Sequence, residues 1–230
     1  MFSLTAELYD ALYSFKDYAA EAAGLRRLLN REHPGARTVL DVGCGTGEHA
    51  RHLSESFAVD GLDLEPGLVA VARTKNPRGE FHVADMRTFE LEKRYDVVLC
   101  LFGSIGYLLA PSDIVAALSR FRAHLAPGGI VLVEPWLSPE AYRPGTPHML
   151  TVDLPELKVC RINVSRQEGD ISVLHFHYLI ATPAGVRRAE EIHRLALVPT
   201  ARMSEHFQTA GLHPRFDPTR LSGRGLFLAR

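Results

Sequence analysis

The 230-residue chain predicts an α/β fold: a mostly parallel sheet with helices on both faces and an antiparallel β subdomain inserted after the fifth strand. Three observations carry this expectation. From Thr38 to Pro135, short apolar runs suited to buried strands alternate with segments of helical period, the sequence form of a sheet wrapped by helices. After Trp136 the runs are richer in β-formers and separated by tight-turn residues, "EGD" and "TPAG", which join antiparallel neighbours. Beyond Pro199 the first plan returns. A hydrophobic content of 46% supports one sizeable core with at most a small appended subdomain.

In chain order, a helix over Tyr18 to Leu29 precedes the first strand, "TVLDV" (Thr38 to Val42). The next strands are "AVDGLDL" (Ala58 to Leu64), "EFHVAD" (Glu80 to Asp85), "YDVVLCL" (Tyr95 to Leu101) and "GIVLVEP" (Gly129 to Pro135). Of the connections, Pro66 to Lys75 reads as a helix because proline fits a first helical turn, and Ser112 to Leu125 as one ended by "PGG". A Pro-rich loop then leads into "LKVCRINVSRQ", "DISVLHFHYLIAT" and "VRRAEEIHRLALV", expected as a three-stranded sheet that either extends the core, caps the site or forms a dimer contact. A helix at Met203 to Ala210 stops at Gly211, and strands near His213 to Phe216 and at "GLFLA" complete the core. The expected units are 1–136, a core with an N-terminal lid helix; 137–199, the insert; and 200–230, the completion of the core.

Charge and cysteine usage narrow the function classes. A net charge of -1 makes no field able to hold a polyanion, and the pairs Arg26-Arg27 and Arg187-Arg188 read as solvated faces, so nucleic acid is not expected as a partner. Cys44, Cys100 and Cys160 have neither metal-ligand spacing nor a disulfide pattern, which fits a reducing compartment. The N-terminus carries Glu7 and Asp10 where a signal peptide needs an apolar stretch, and no segment approaches the length of a membrane span. A cytoplasmic protein is expected.

The stretch "VLDVGCGTGEHA" (Val39 to Ala50) sets three glycines between the first strand and a helix. Such a turn lets a ligand meet the main chain where any Cβ would clash, near the positive end of the helix, so a nucleotide-like ligand is implied. "GTGEHA" also satisfies the G-x-G-x-x-A dinucleotide form, with Asp63 at a fitting distance, so an NAD(P)-linked protein stays open on this motif alone. Three acids favour another ligand. Asp41 lies two residues before Gly43, where it would repel a pyrophosphate and welcome a cation. Asp63 ends the second strand and can accept both hydroxyls of a ribose, and Asp85 ends the third and can accept from an adenine amino group.

"DVGCGTG", "GLDL", "ADMR" and "LAPGG" resemble the S-adenosylmethionine (SAM) dependent class I methyltransferases, whose core is a Rossmann-like sheet. The resemblance implies SAM as cofactor, held by Gly43, Gly45 and Gly47 of the turn, by Asp63 at the ribose and by Asp85 at the adenine, with Asp41, Met86 and Phe102 as further contacts. "KDYAAEA", "FGSIGYL", "VEPW" and "SGRGLF" are similar, more narrowly, to the bacterial dTDP-amino-sugar N,N-dimethyltransferases, which finish sugars of the desosamine and mycaminose type. That resemblance runs nearly end to end. It implies N-methylation of a nucleotide-linked amino sugar; another small-molecule acceptor, or SAM binding without catalysis, is the alternative.

Methyl transfer from a sulfonium to an amine needs alignment of the reacting atoms and an amine with a free lone pair. Tyr107, at the family's acceptor position, is expected to orient that amine, or else to close the pocket by packing. Tyr13 matches a lid tyrosine beside cofactor and sugar, or is ordinary core. His177 and His193 fall where the resembling proteins carry histidine, and either could relay a proton, with His177 the catalytic candidate and His193 the substrate contact, although a histidine on a half-buried strand is more often simply hydrogen-bonded. Trp136 stacks on substrate or packs, and Arg224 of "SGRGLF" is expected to grip the acceptor's pyrophosphate through its bidentate guanidinium. A homodimer is a further expectation.

Overall fold

The computed structural model describes residues 3–221 and 223–230, with side chains from Leu8 onward. Its larger sheet has seven strands: β1 (Thr38–Val42), β2 (Ala58–Asp63), β3 (Phe81–Val83), β4 (Tyr95–Cys100), β5 (Leu125–Val133), β11 (Pro214–Asp217) and β12 (Leu226–Ala229). They lie in the order β11-β12-β5-β4-β1-β2-β3. The first five are parallel, and β12 enters antiparallel between β5 and β11. The chain reverses direction between β1 and β4, and so opens a crevice at the carboxyl ends of the strands. Strand residues alternate between two cores. Val39, Val97, Leu99, Ile130 and Leu132 pack with α2 (Tyr18–Glu32) and α3 (Glu48–Leu53) on one face. On the other, Leu40, Val98, Val131 and Val133 pack with α5 (Pro111–Ala123) and α6 (Thr200–Thr209).

Helix α4 (Pro66–Lys75) starts at the expected proline, with Glu65 as its cap, and α2 is capped by Asp17, which accepts from the Ala20 N–H at 2.8 Å. The structure differs from expectation at "PGG": α5 ends at Ala123 and β5 already runs through Gly128 and Gly129, with an irregular register between Tyr95 and Val97. Glycine there absorbs a left-handed backbone, φ 78° at Gly128, inside a strand and not behind a helix.

The second sheet comprises β6 (Pro147–Leu154), β7 (Leu157–Val164), β9 (Ile171–Thr182) and β10 (Gly185–Ala196), in the order β10-β9-β7-β6, with the short β8 (Arg166–Glu168) against β9. It is antiparallel throughout, and it contains one strand more than expected on its long path. β6 lies in the segment read as a Pro-rich loop. Its inner face offers only Leu150 and Val152 to the core, and its outer residues are exposed, so the apolar signal is weak. The inner face of this sheet buries Val159, Phe176, Tyr178 and Ile180 against Leu8 and Leu12 of α1 (Ser3–Leu12). Among the described residues no helix is long and apolar enough to cross a membrane.

Candidate active site

The crevice above the parallel strands, closed by α1 and the second sheet, is a cavity of about 490 Å³. The glycine turn forms its floor. Gly43 and Gly45 line it, each in the left-handed region at φ 72° and 56°; a Cβ on Gly43 would sit 2.8 Å from the Ser104 Cβ, and one on Gly45 would point at the Tyr9 ring at 3.6 Å. Asp63 lines the wall at the end of β2. Its carboxylate accepts from the Gly45 N–H at 2.9 Å and the Glu65 N–H at 3.0 Å, while burial raises its pKa. Asp85 and Met86 follow after β3. The Arg87 guanidinium holds Asp85 through contacts of 2.6 to 3.1 Å, keeping its carboxyl below the usual range, and also reaches Asp113 at 3.0 Å.

Three expected residues stand elsewhere. Asp41 is 1% exposed and lies under the glycine turn, not in the cavity, because it points from mid-sheet into a chamber of about 20 Å³ shared with Gly43, Thr46 and His49. Gly47 is the left-handed N-cap of α3, and a Cβ there would come 2.5 Å from Asn76 Nδ2, so its bareness serves helix packing. His177 is on the outer face of the second sheet, since strand alternation buries Phe176 and Tyr178 and turns His177 away; it pairs with Glu190 at 3.3 Å.

Phe102 begins the far wall. It is one of the described non-glycine residues with positive φ, 55°, and its N–H donates to the buried Glu134 Oε2 at 2.6 Å. Glu134 also accepts from Arg224 Nε at 3.1 Å, and the Arg224 guanidinium lies 4.8 Å from the Phe102 ring and 5.4 Å from Trp136. One buried carboxylate thus fixes a strained loop and a cavity arginine together. Trp136 donates from Nε1 to Ser172 Oγ at 2.9 Å, and a Cβ on Gly106 would meet it at 2.7 Å, so the "GSIG" glycines make room for the indole.

Tyr107 and His193 face the cavity and are joined. The Tyr107 hydroxyl is 2.8 Å from His193 Nδ1, His193 Nε2 is 3.4 Å from Glu191 Oε2, and the Tyr178 hydroxyl donates to that oxygen at 3.3 Å. His193 and Glu191 are buried, at 5% and 8% exposure. Burial pushes the Tyr107 hydroxyl well above its ordinary pKa, so it stays a neutral hydrogen-bonding group. The histidine tautomer that accepts at Nδ1 carries its proton on Nε2, toward Glu191.

Tyr13 lines the cavity from the end of α1, stacked edge-on to Phe102 at 5.4 Å, and its hydroxyl accepts from Arg161 Nη1 at 3.4 Å. Tyr9, Arg161 and Glu191 escaped the reading of the sequence. The alternation of β7 and β10, which turns Arg161 and Glu191 to the same side as Val159 and His193, was the available signal. Helix α1 is held over the turn by Asp10, which accepts from Thr46 Oγ1 at 2.6 Å and pairs with Lys75 at 2.5 Å.

The site has the parts a sulfonium nucleotide needs. The acid at the end of β2 faces the cavity, a Cβ-free floor lies beside it, and the buried Asp41 Oδ2 has no hydrogen-bond partner among the described residues, above which a cationic group is favoured. A methyltransferase domain model matches residues 39–129. The chain is 44% identical over 226 residues to the dTDP-3-amino-3,6-dideoxy-alpha-D-glucopyranose N,N-dimethyltransferase of Streptomyces fradiae, covering 96% of this chain and 89% of that one. The crystal structure of Streptomyces venezuelae DesVI superposes with a TM-score of 0.92 at 36% identity, over 97% of each chain. SAM-bound CalS10, an amino pentose methyltransferase from Micromonospora echinaspora, gives a TM-score of 0.87 at 33% identity, over all of this chain and 97% of the other. The crevice acids, the glycine floor and this full-length likeness lead to one conclusion: the chain is a SAM-dependent class I methyltransferase and belongs to the dTDP-amino-sugar N,N-dimethyltransferase family.

Proposed function

We propose that the protein transfers methyl groups from SAM to the amine of a dTDP-linked amino sugar. The observation that carries this reading is a hydrogen-bonded chain, Tyr107 to His193 to Glu191, that opens on the same cavity as the cofactor-side residues Gly43, Gly45 and Asp63. Its relatives act on dTDP-amino sugars.

When bound, SAM supplies a methyl group already activated for displacement. Asp63, Asp85, Met86 and Phe102 are assigned to its nucleoside side, and Gly43 and Gly45 to close main-chain approach; Asp41 acts from below through the chamber, which has room for about one water. The chain's own task is alignment, which can supply about 7 to 11 kcal/mol in well-oriented cases. Tyr107 orients the acceptor amine, and the apolar wall disfavours its charged form. After one transfer the amine carries an extra proton that blocks the next. That proton passes to the Tyr107 oxygen as the Tyr107 proton moves to His193 Nδ1, and the imidazolium so formed is stabilised by Glu191. Arg224, Trp136 and Tyr13 hold the acceptor.

The test is SAM-dependent methylation of dTDP-linked 3-amino and 4-amino sugars, followed by mass. One and then two methyl additions are expected. Methylation of a free small amine with none on any dTDP-amino sugar would transfer the reading to another small-molecule acceptor. The three free cysteines support a cytoplasmic location. A homodimer through the outer face of the second sheet completes the proposal.

A further inference from the structure

Three arginines line the cavity, and two of them are ion-paired. Arg87 is held between Asp85 and Asp113, and Arg224 is held by the fully buried Glu134. Arg161 differs from both. It reaches the cavity from β7, and among the described residues no carboxylate lies within ion-pair distance of it. Its register partners are Leu150 on β6 and Tyr178 on β9. Its described polar contact is the Tyr13 hydroxyl, a neutral group at 3.4 Å, and its guanidinium lies 5.5 Å from the Tyr13 ring and 4.5 Å from the Phe176 ring.

A guanidinium half removed from water with only neutral groups around it has an uncompensated charge, and anions are what such a site favours. The Arg224–Glu134 pair is neutral as a unit, so bringing a dianion beside it alone leaves the ligand's charge unbalanced. Arg161 supplies the missing cation. We propose that Arg161 binds the anionic group of the acceptor, its diphosphate, and thereby makes the second sheet the part of the molecule that recognises the acceptor. The proposal rests on the sugar-nucleotide reading given above.

The distances suit this role. The Phe176 ring neighbours both groups, 4.5 Å from the Arg161 guanidinium and 5.2 Å from the His193 ring. Arg161, Phe176, His193 and Tyr107 all line the same cavity, so an anion at Arg161 and an amine at the Tyr107–His193 pair share one chamber. The aromatic contacts on Tyr13 and Phe176 restrict the guanidinium before any ligand arrives, so less conformational freedom is lost on binding.

The experiment measures binding by calorimetry with thymidine diphosphate, thymidine, inorganic pyrophosphate and SAM, on the parent protein, Arg161→Met and Arg161→Lys. Arg161→Met keeps the length of the side chain against Tyr13 and Phe176 but removes the charge. It is expected to weaken thymidine diphosphate about 10- to 100-fold, while thymidine, SAM and the melting temperature stay at parent values. Arg161→Lys is expected between the two, because an ammonium keeps the charge without the bidentate fork. Parent-like binding of thymidine diphosphate by Arg161→Met overturns the proposal. So does an equal loss for thymidine or SAM, which would make Arg161 a packing residue or a cofactor contact. If the parent binds pyrophosphate in an Arg161-dependent way but shows no preference for thymidine diphosphate, the anion site stands and the thymidine-nucleotide reading falls. Binding of neither overturns both.

Discussion

Asp41 has a buried carboxyl whose pKa burial pushes up to about 6, opposed in part by the charge of His49 and assisted by that of Asp63. The folded pKa lies above the unfolded one, so the associated stability is full below about pH 4 and is lost as pH rises through 6. A shift from 3.8 to about 6 corresponds to about 3 kcal/mol between these limits. Asp41→Asn should therefore melt higher than the parent at pH 8, in the absence of SAM, with the gap closing by pH 4, while SAM affinity falls. A gap independent of pH would show that Asp41 does not carry this titration. Asp63→Ala should weaken SAM sharply in a folded protein; unchanged calorimetric affinity would remove Asp63 from the cofactor site. Glu191→Gln and Tyr107→Phe address the proton path. Each should lower the second methyl transfer more than the first, by about tenfold or more, and so raise the ratio of monomethyl to dimethyl product. A merely structural role would slow both transfers alike and leave the ratio at its parent value. Of these residues, Asp63 was legible from its place after an apolar run, and Tyr107 through family resemblance. Glu191 was not, because its meaning lies in a contact with His193 and Tyr178 that only strand pairing creates.

At the scale of elements, the parallel core was readable because its strands are buried on both faces and its helices open on proline or acid signals. The second sheet was readable in kind, since "DISVLHFHYLIAT" alternates, but alternation alone left open which set of side chains faces inward. The register settles it: Phe176 and Tyr178 face α1, so His175 and His177 face outward beside Glu190. Gly47 shows the same limit. A glycine in a nucleotide-type motif reads as ligand contact, yet the α3 and α4 elements meet there, with Asn76 donating from Nδ2 to the Gly47 carbonyl at 3.1 Å. Gly47→Ala must place a Cβ 2.5 Å from Asn76 Nδ2 and 3.1 Å from Ala72 Cβ at φ 75°. The expected cost is about 3 kcal/mol, a fall in melting temperature of roughly 6 to 12 °C, with SAM affinity in the folded fraction retained. A stable variant that has lost SAM binding would return Gly47 to the ligand.

At the scale of the whole molecule, the second sheet has one face on the cavity and one face that, among the described residues, stands exposed. The exposed face carries Met149 on β6, Ile162 and Val164 on β7, Leu179 on β9 and Ile192 on β10, all between 45% and 69% exposed. Register places Met149 opposite Ile162, and Ile162 opposite His177, so these side chains form one surface across the four strands. Apolar surface gathered in this way suits the homodimer contact proposed above. The occupant proposed for this face is a second copy of the chain. The charges of the face are largely paired within the chain, Lys158 with Asp153 and Glu190 with His175 and His177, so they oppose a two-fold contact little, and the net charge of -1 adds little repulsion. Ile162→Lys replaces a side chain at the middle of this surface without touching the inner face. Light scattering on the parent is expected to give twice the 25.5 kDa mass of one chain, and on Ile162→Lys a single-chain mass, with SAM affinity unchanged because the cavity lies on the other side of the sheet. A parent of single-chain mass at tens of micromolar, or an Ile162→Lys variant that still associates, would remove this face from any role in assembly.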